Sequence, residues 1–227
     1  MVKKNINKNT ASTSGIGIFG GTFDPIHVGH SQSAGAVAQW LNLAKILFIP
    51  AHIPPHKNCV NSVPTASAKQ RSAMVELVCK EHNLFECDNR ELMRQQHSYT
   101  IDTLLELKEK YPQQSLFFII GMDSLLTFTR WHRFQDILKL CHLVVNTRPN
   151  YDLSQVNSET ETLLAQHRVL SKDELTKESV GAIFFTKPLF IDVSSTKLRQ
   201  NLKTAQCCQQ YLYPSVIDFI NKNQLYR

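Results

Sequence analysis

Glycine and proline are scarce, 8 and 9 among 227 residues. That excludes collagen-like repeats and low-complexity linkers. No apolar run approaches the roughly 18 residues that a membrane span needs; Leu116–Ile120 is only strand-sized. No membrane partner is therefore expected. Six cysteines occur, Cys59, Cys79, Cys87, Cys141, Cys207 and Cys208. They form no C-x-x-C and fit neither zinc nor disulfide-framework spacing. The adjacent Cys207 and Cys208 read as reduced thiols near a helix end. With no apolar signal stretch in Met1–Ser14, this composition points to the reducing cytoplasm. Nor does one sign of charge dominate: 25 bases stand against 19 acids, for a net +6. Lys3, Lys4 and Lys8 lie in an acid-free tail, so residues 15–227 hold 22 bases and 19 acids, or +3. Half of the excess sits in the tail. This argues against a basic nucleic-acid face and suits an anionic small molecule.

Hydrophobic residues make up 42% of the chain and charged ones 19%, as in a folded globular protein. The length suggests one domain, with enough chain to bury a core. Residues 1–14 read as a disordered basic tail, and 15–227 as the domain. Short apolar runs alternate with helical periodicity. Strands are expected at Ile16–Phe19, Ile46–Ile49, Leu84–Cys87, Leu116–Ile120, Leu143–Val145 and Ala182–Phe185. Helices are expected at about 29–44, 66–80, 99–110, 195–202 and 214–221. The polar, weakly patterned stretch Asn150–Val180 reads as a surface excursion. Strands separated by helices imply an α/β, Rossmann-like, doubly wound parallel sheet with helices on both faces. Ligands in such sheets bind beyond the carboxyl ends of the strands. The loops after Phe19, Ile49, Ile120 and Val145 are thus the places to search.

The sharpest motif runs from Gly17 to His30. A strand enters Gly20-Gly21, followed by Thr22, Phe23, Asp24, Pro25 and Ile26, then His27-Val28-Gly29-His30. Paired glycines let a phosphate approach the backbone. Two histidines three apart on a first helical turn share a face, beside the free N–H groups and positive dipole end of the helix. That convergence suits a polyphosphate. Gly15-Ile16-Gly17-Ile18-Phe19-Gly20 also matches G-x-G-x-x-G, but its first glycines precede or lie within the strand, so the dinucleotide reading fails. A Walker A sequence is absent from the chain.

A second cradle is Ser194-Ser195-Thr196 with Arg199 about one turn inside a helix. Hydroxyls at a helix start cap free amides; with a guanidinium nearby they also bind anions. Third is Pro54-Pro55-His56-Lys57, in the loop after the second strand, where Lys57 can reach phosphate.

These stretches occur in order with Ser98-Tyr99-Thr100, Ile120-Gly121-Met122-Asp123-Ser124-Leu125 and Trp131. Taken together, the chain from about Gly17 to Arg227 resembles the bacterial nicotinate-nucleotide adenylyltransferases of the H-x-G-H nucleotidyltransferase superfamily. The resemblance implies adenylyl transfer from ATP to nicotinate mononucleotide, giving deamido-NAD and pyrophosphate with Mg²⁺ in NAD biosynthesis. It implies that His27, His30, Lys57 and Arg199 act on the reacting phosphates. Gly20, Gly21, Thr22, Phe23, Gly121, Asp123, Ser194, Ser195 and Thr196 would hold ATP. Thr100, Trp131, His132 and Arg148 would hold nicotinate mononucleotide, with backbone N–H groups near Trp131 and His132 facing the carboxylate. His132 stands where relatives often carry Tyr. Alternatives left open are adenylyl transfer to nicotinamide mononucleotide or phosphopantetheine, and a non-catalytic nucleotide- or RNA-binding module.

Overall fold

The computed structural model describes residues 15–52, 64–94, 97–147, 153, 156–187 and 191–227. The tail at 1–14, Lys57 with its Pro54–His56 neighbours, and Arg148 lie outside the described residues.

The chain runs β1 (Ile16–Gly21), α1 (Val28–Leu41), β2 (Lys45–Pro50), α2 (Ala68–Lys80), β3 (Phe85–Cys87), α3 (Thr100–Lys110) and β4 (Leu116–Gly121). It continues α4 (Met122–Leu125), α5 (Phe134–Leu138), β5 (His142–Asn146), α6 (Ser158–His167), β6 (Arg168–Val169), α7 (Lys172–Lys177), β7 (Ile183–Phe185), α8 (Ser195–Lys203) and α9 (Pro214–Lys222). The strands form one sheet in the order β3-β2-β1-β4-β5-β7-β6, and each pairing is parallel. The expected α/β, Rossmann-like, doubly wound sheet is present.

Strand side chains alternate between two cores, as the two-residue period of a strand requires. Ile46, Phe48, Phe117, Ile119 and Val144 face one cluster with α1, α2, α8 and α9. Leu47, Ile49, Phe118, Ile120 and Val145 face the other, with α3, α4, α5 and α6. Both faces are covered, so the strands read as continuous apolar runs. Helix α2 starts in a reciprocal cap: Gln70 N–H donates to Ser67 Oγ at 3.3 Å, and Ser67 N–H donates to Gln70 Oε1 at 2.9 Å.

Two expectations need correction. The stretch Asn150–Val180 is more than a surface excursion. Thr160, Leu163, Leu164 and Leu175 are buried, and β6 pairs with β7 through Arg168 opposite Ile183 and Val169 opposite Phe184. An edge strand and two helices with one wet face carry few apolar residues, which explains the polar reading. The segment between β4 and β5 also holds α4 and α5, too short to show a helical period.

From β1 the chain winds outward to β2 and β3, then crosses to β4 and winds the other way through β5. The order therefore reverses between β1 and β4. At that point loops from two opposite-going halves part and leave a crevice at the carboxyl ends.

Candidate active site

A cleft of about 210 Å³ sits at this switch point. Its floor is Phe19, Gly20 and Gly21 from β1 and Ile119, Ile120 and Gly121 from β4. His27, Gly29, His30 and Ser33 line one wall; Asp123, Ser124, Asn146 and Thr147 another; Ile191 and Val193 a third. The loops after Phe19, Ile120 and Val145 thus converge as the strand pattern predicts.

The histidine pair is built by the start of α1. His27 is the residue before the helix, with extended backbone, and is 3% exposed. Its N–H donates to His30 Nδ1 at 3.2 Å. An accepting Nδ1 assigns the proton of a neutral His30 to Nε2, so the ring carries one donor N–H. The two imidazoles lie face to face, ring centres 3.7 Å apart and planes 32° apart. Phe23 stands edge-on to His30 at 5.2 Å and fixes the outer ring. Phe23 itself has φ +51, where only a locked turn holds a side chain of that bulk.

The second motif reaches the first at Gly29. A Cβ there would lie 2.8 Å from Val193 Cγ1 and 3.0 Å from the His27 ring. Glycine at this position is what allows the segment before α8 to press onto the histidine turn. Two side-chain bonds continue the junction. Ser195 Oγ donates to the Pro25 carbonyl at 3.0 Å, and Arg199 Nη1 donates to the Asp24 carbonyl at 2.7 Å. Arg199 Nη2 also donates to Thr196 Oγ1 at 3.3 Å. Ser194 caps α8, accepting from Lys197 N–H at 3.2 Å. The H-x-G-H turn and the S-S-T-x-x-R turn, about 170 residues apart, are one structure.

Gly121 is the other tight position. Asp123 Oδ1 lies 2.5 Å from where its Cβ would be, so the carboxylate folds back over the end of β4. Gly20 borders the cleft and faces Phe118 at ordinary contact distance. Phe118 in turn meets the Trp131 ring edge-on at 6.1 Å.

Thr100, Trp131 and His132 lie outside the lining of the cleft. Thr100 is the first residue of α3. Tyr99, just before it, packs its ring against the exposed His132, centres 4.6 Å apart and planes tilted by 41°. Trp131 packs on Phe128 at 5.5 Å. The backbone donors expected there are not all open: the Trp131 N–H donates to the Phe128 carbonyl at 2.9 Å. It closes the 3-10 turn at Phe128–Arg130, a bond that no sequence pattern announced. Thr22 N–H and side chain are not part of the cleft lining; its carbonyl accepts from Arg71 Nη1 at 2.6 Å.

Sequence reasoning missed several residues. Ser33, Ser124, Asn146 and Thr147 line the cleft; the strand-end rule pointed to the loop after Val145 but singled out neither Asn146 nor Thr147 within it. Asp24, Arg71 and Tyr226 carry no such signal. Arg71 is 1% exposed and donates to the carbonyls of Thr22, Ala51, His52 and Ala66 at 2.6–3.3 Å. Burial lowers its pKa while the nearby Asp24 opposes that shift; a guanidinium stays charged regardless.

A reversed parallel sheet with paired imidazoles at its switch point defines a nucleotidyltransferase of Rossmann-like fold. Known proteins place the chain within that class. A family model described as cytidylyltransferase-like matches residues 18–201. A protein of Aeromonas salmonicida (strain A449) described as a probable nicotinate-nucleotide adenylyltransferase is 44% identical over 212 residues, covering 93% of this chain and 97% of its own. One from Yersinia pestis (strain Pestoides F), described in the same words, is 41% identical over 211 residues, covering 92% and 94%. The chain belongs to the cytidylyltransferase-like family and, within it, to the nicotinate-nucleotide adenylyltransferases. The fold also matches the Plasmodium falciparum nicotinic acid mononucleotide adenylyltransferase complexed with NaAD, with a TM-score of 0.68 at 17% identity over 94% of this chain and 97% of that one.

Proposed function

We propose that the enzyme transfers the adenylyl group of ATP to nicotinate mononucleotide, forming deamido-NAD and releasing pyrophosphate, in NAD biosynthesis. One observation carries this reading: the His27–His30 turn and the Ser194–Arg199 turn are bonded together beside a single cleft at the switch point. The named relatives, at more than 40% identity over nine-tenths of the chain, support the choice of acceptor.

The chemistry asks for alignment and charge neutralisation. The acceptor phosphate is mostly dianionic at neutral pH, its second pKa being about 6. An oxygen of that phosphate attacks the α-phosphorus of ATP, and the bond to the bridging oxygen of pyrophosphate breaks in line. No base and no covalent enzyme intermediate are required. Rate comes from holding the two phosphates in line and from donors placed where charge collects on the leaving group. His27 and His30 meet the triphosphate from one side. Ser194, Ser195, Thr196 and Arg199 hold its far end from the other, and Lys57 adds a cation from the loop after β2. Gly20, Gly21 and Phe23 shape the floor; Gly121 and Asp123 take the ribose.

Mg²⁺ enters with ATP. Among the described residues no cluster of three His, Cys, Asp or Glu side chains is placed to hold a metal ion. Asp24, the buried acid of the loop, is engaged by protein donors. This donor set fits a cation held chiefly by phosphate oxygens and water, as Mg²⁺ prefers.

The acceptor side follows from hydrogen-bond chemistry. A nicotinate carboxylate only accepts, whereas a nicotinamide also donates. Thr100 opens an 11-residue helix, where unpaired N–H groups and the dipole favour an anion. With the Trp131 amide used internally, the carboxylate is received by Thr100 and the amides beyond Trp131. The Trp131 ring stacks on the pyridine, and Arg148 meets the acceptor phosphate. The cysteines described are free, in keeping with action in the cytoplasm. Among the described residues no helix is long and apolar enough to cross a membrane.

The test is pyrophosphate release from ATP and Mg²⁺ against nicotinate mononucleotide, nicotinamide mononucleotide and phosphopantetheine. Nicotinate mononucleotide should give by far the highest kcat/KM. Equal rates with the amide would remove the assigned roles of Thr100 and Trp131; no turnover with any acceptor would favour a binding module.

A further inference from the structure

Asp24 lies beneath the phosphate loop at 4% exposure, and its carboxylate is held by three hydrogen-bond donors. Thr65 N–H reaches Oδ2 at 2.8 Å, Ala66 N–H reaches Oδ1 at 3.1 Å, and Tyr226 Oη donates to Oδ1 at 2.8 Å. Arg199 touches the same residue at a different atom. Its Nη1 donates to the Asp24 backbone carbonyl at 2.7 Å but stands 3.7 Å from Oδ2. The ion pair is thus held open by about the length that separates a contact from a hydrogen bond. A guanidinium has five N–H groups, and the Arg199 side chain is 26% exposed. It keeps donors for an anion only while the Asp24 carboxylate does not capture them.

We infer that Tyr226, next to the last residue of the chain, is a positioning residue for ATP: by occupying Asp24 Oδ1 it keeps the carboxylate turned to Thr65, Ala66 and itself, and keeps Arg199 aimed at the phosphates. The hydroxyl is well suited to this. Tyr226 is 3% exposed, and burial beside the Asp24 charge raises its pKa, so it remains a donor at any working pH. The chain before it is anchored to the same region. Val28 N–H donates to the Tyr211 carbonyl at 3.0 Å, and Tyr213 Oη donates to Ser31 Oγ at 2.8 Å. The C-terminal segment therefore grips α1 at its first turn and the phosphate loop at Asp24. Thr65 and Ala66 lie just before α2, so one carboxylate ties together the C-terminal segment, the approach to α2 and the guanidinium. Loss of the Tyr226 hydroxyl removes a donor from Oδ1 of a buried carboxylate, and Arg199, already 3.7 Å from Oδ2, is a cation that the relaxed carboxylate can draw in.

This inference rests on the reading of Arg199 as a triphosphate ligand, not on the identity of the acceptor. The test is a double-mutant cycle of Tyr226→Phe and Arg199→Ala. Binding of the α,β-methylene analogue of ATP is measured by calorimetry without acceptor, and kcat/KM for ATP with nicotinate mononucleotide. Tyr226→Phe should weaken analogue binding about tenfold when Arg199 is present, the scale of one hydrogen bond to a charged group. In the Arg199→Ala background it should change binding little. A hydroxyl that serves stability alone would lower Tm and cost the same factor in both backgrounds, or leave binding unchanged, and either result overturns the inference. Asp24→Asn, which keeps shape and removes the charge, is the second probe: Tyr226→Phe should then add no further loss, and an additive loss counts against the inference. Coupled binding without turnover of nicotinate mononucleotide would remove the acceptor assignment and leave this one standing.

Discussion

The two flanks of the site are made in different ways. The flank proposed to hold phosphate is cross-linked: Gly29 lies against Val193, Ser195 on Pro25, Arg199 on Asp24, and the buried Arg71 on four carbonyls. Its parts come from β1, α1, α2, α8 and the chain's end. The acceptor flank is local. Thr100 starts a helix, and Trp131 and His132 follow a three-residue 3-10 turn, with the Tyr99 and His132 rings in tilted contact near the surface. A triphosphate is the same in every adenylyl transfer, so its grip is over-determined. On the proposed reading, acceptor choice would rest on short turns outside the sheet.

Substitutions on the two flanks should therefore separate cleanly. His30→Ala should lower kcat by roughly 10²–10³-fold, the scale of losing one transition-state donor, with Tm almost unchanged; near-normal kcat would take His30 out of the phosphate flank. Gly29→Ala should cost both activity and stability, since its Cβ overlaps Val193. About 1–3 kcal/mol of overpacking is expected, read by denaturant unfolding alongside kcat. Trp131→Ala should raise KM for the mononucleotide about tenfold, on the scale of a lost aromatic stack, with KM for ATP unmoved. A parallel rise in both constants would merge the flanks into one.

A last test lies away from both flanks and leaves turnover untouched. His142 on β5 is 1% exposed, packs on Phe117 with ring centres 5.1 Å apart, and among the described residues finds no hydrogen-bond partner at Nδ1. Burial, helped by Lys108, lowers its pKa from 6.5 to about 4. The unfolded chain then binds a proton near pH 6.5 that the folded chain refuses until about pH 4. Stability is full above pH 6.5 and falls as the pH drops through that window, by up to about 3 kcal/mol. His142→Gln should flatten the fall in urea unfolding between pH 7 and 4, while kcat at neutral pH stays the same.

Much of this arrangement was legible beforehand. The apolar runs at Ile16–Phe19, Ile46–Ile49 and Leu116–Ile120 became β1, β2 and β4 within a residue or two, because a strand covered on both faces must be apolar throughout. The end of β4 at Gly121 was readable for the same reason. The helix of Asn150–Val180 that carries Leu163 and Leu164 was hidden by its polar exposed face. The Trp131 amide was misjudged because a 3-10 turn of three residues has no period to detect.

By itself, the chain's order of residues determined the alternation of strand and helix, the histidine turn, and the hydroxyl-rich start of α8. Those follow from local periodicity and from residue types whose chemistry is independent of context. Only the tertiary structure decided that the two turns are bonded together beside one cleft, that Gly29 is there to admit Val193, and that Asp24 meets a tyrosine 202 positions away. Contacts between residues so far apart are set by the winding of the sheet, which brings the carboxyl ends of its strands to one edge, and no local pattern records them.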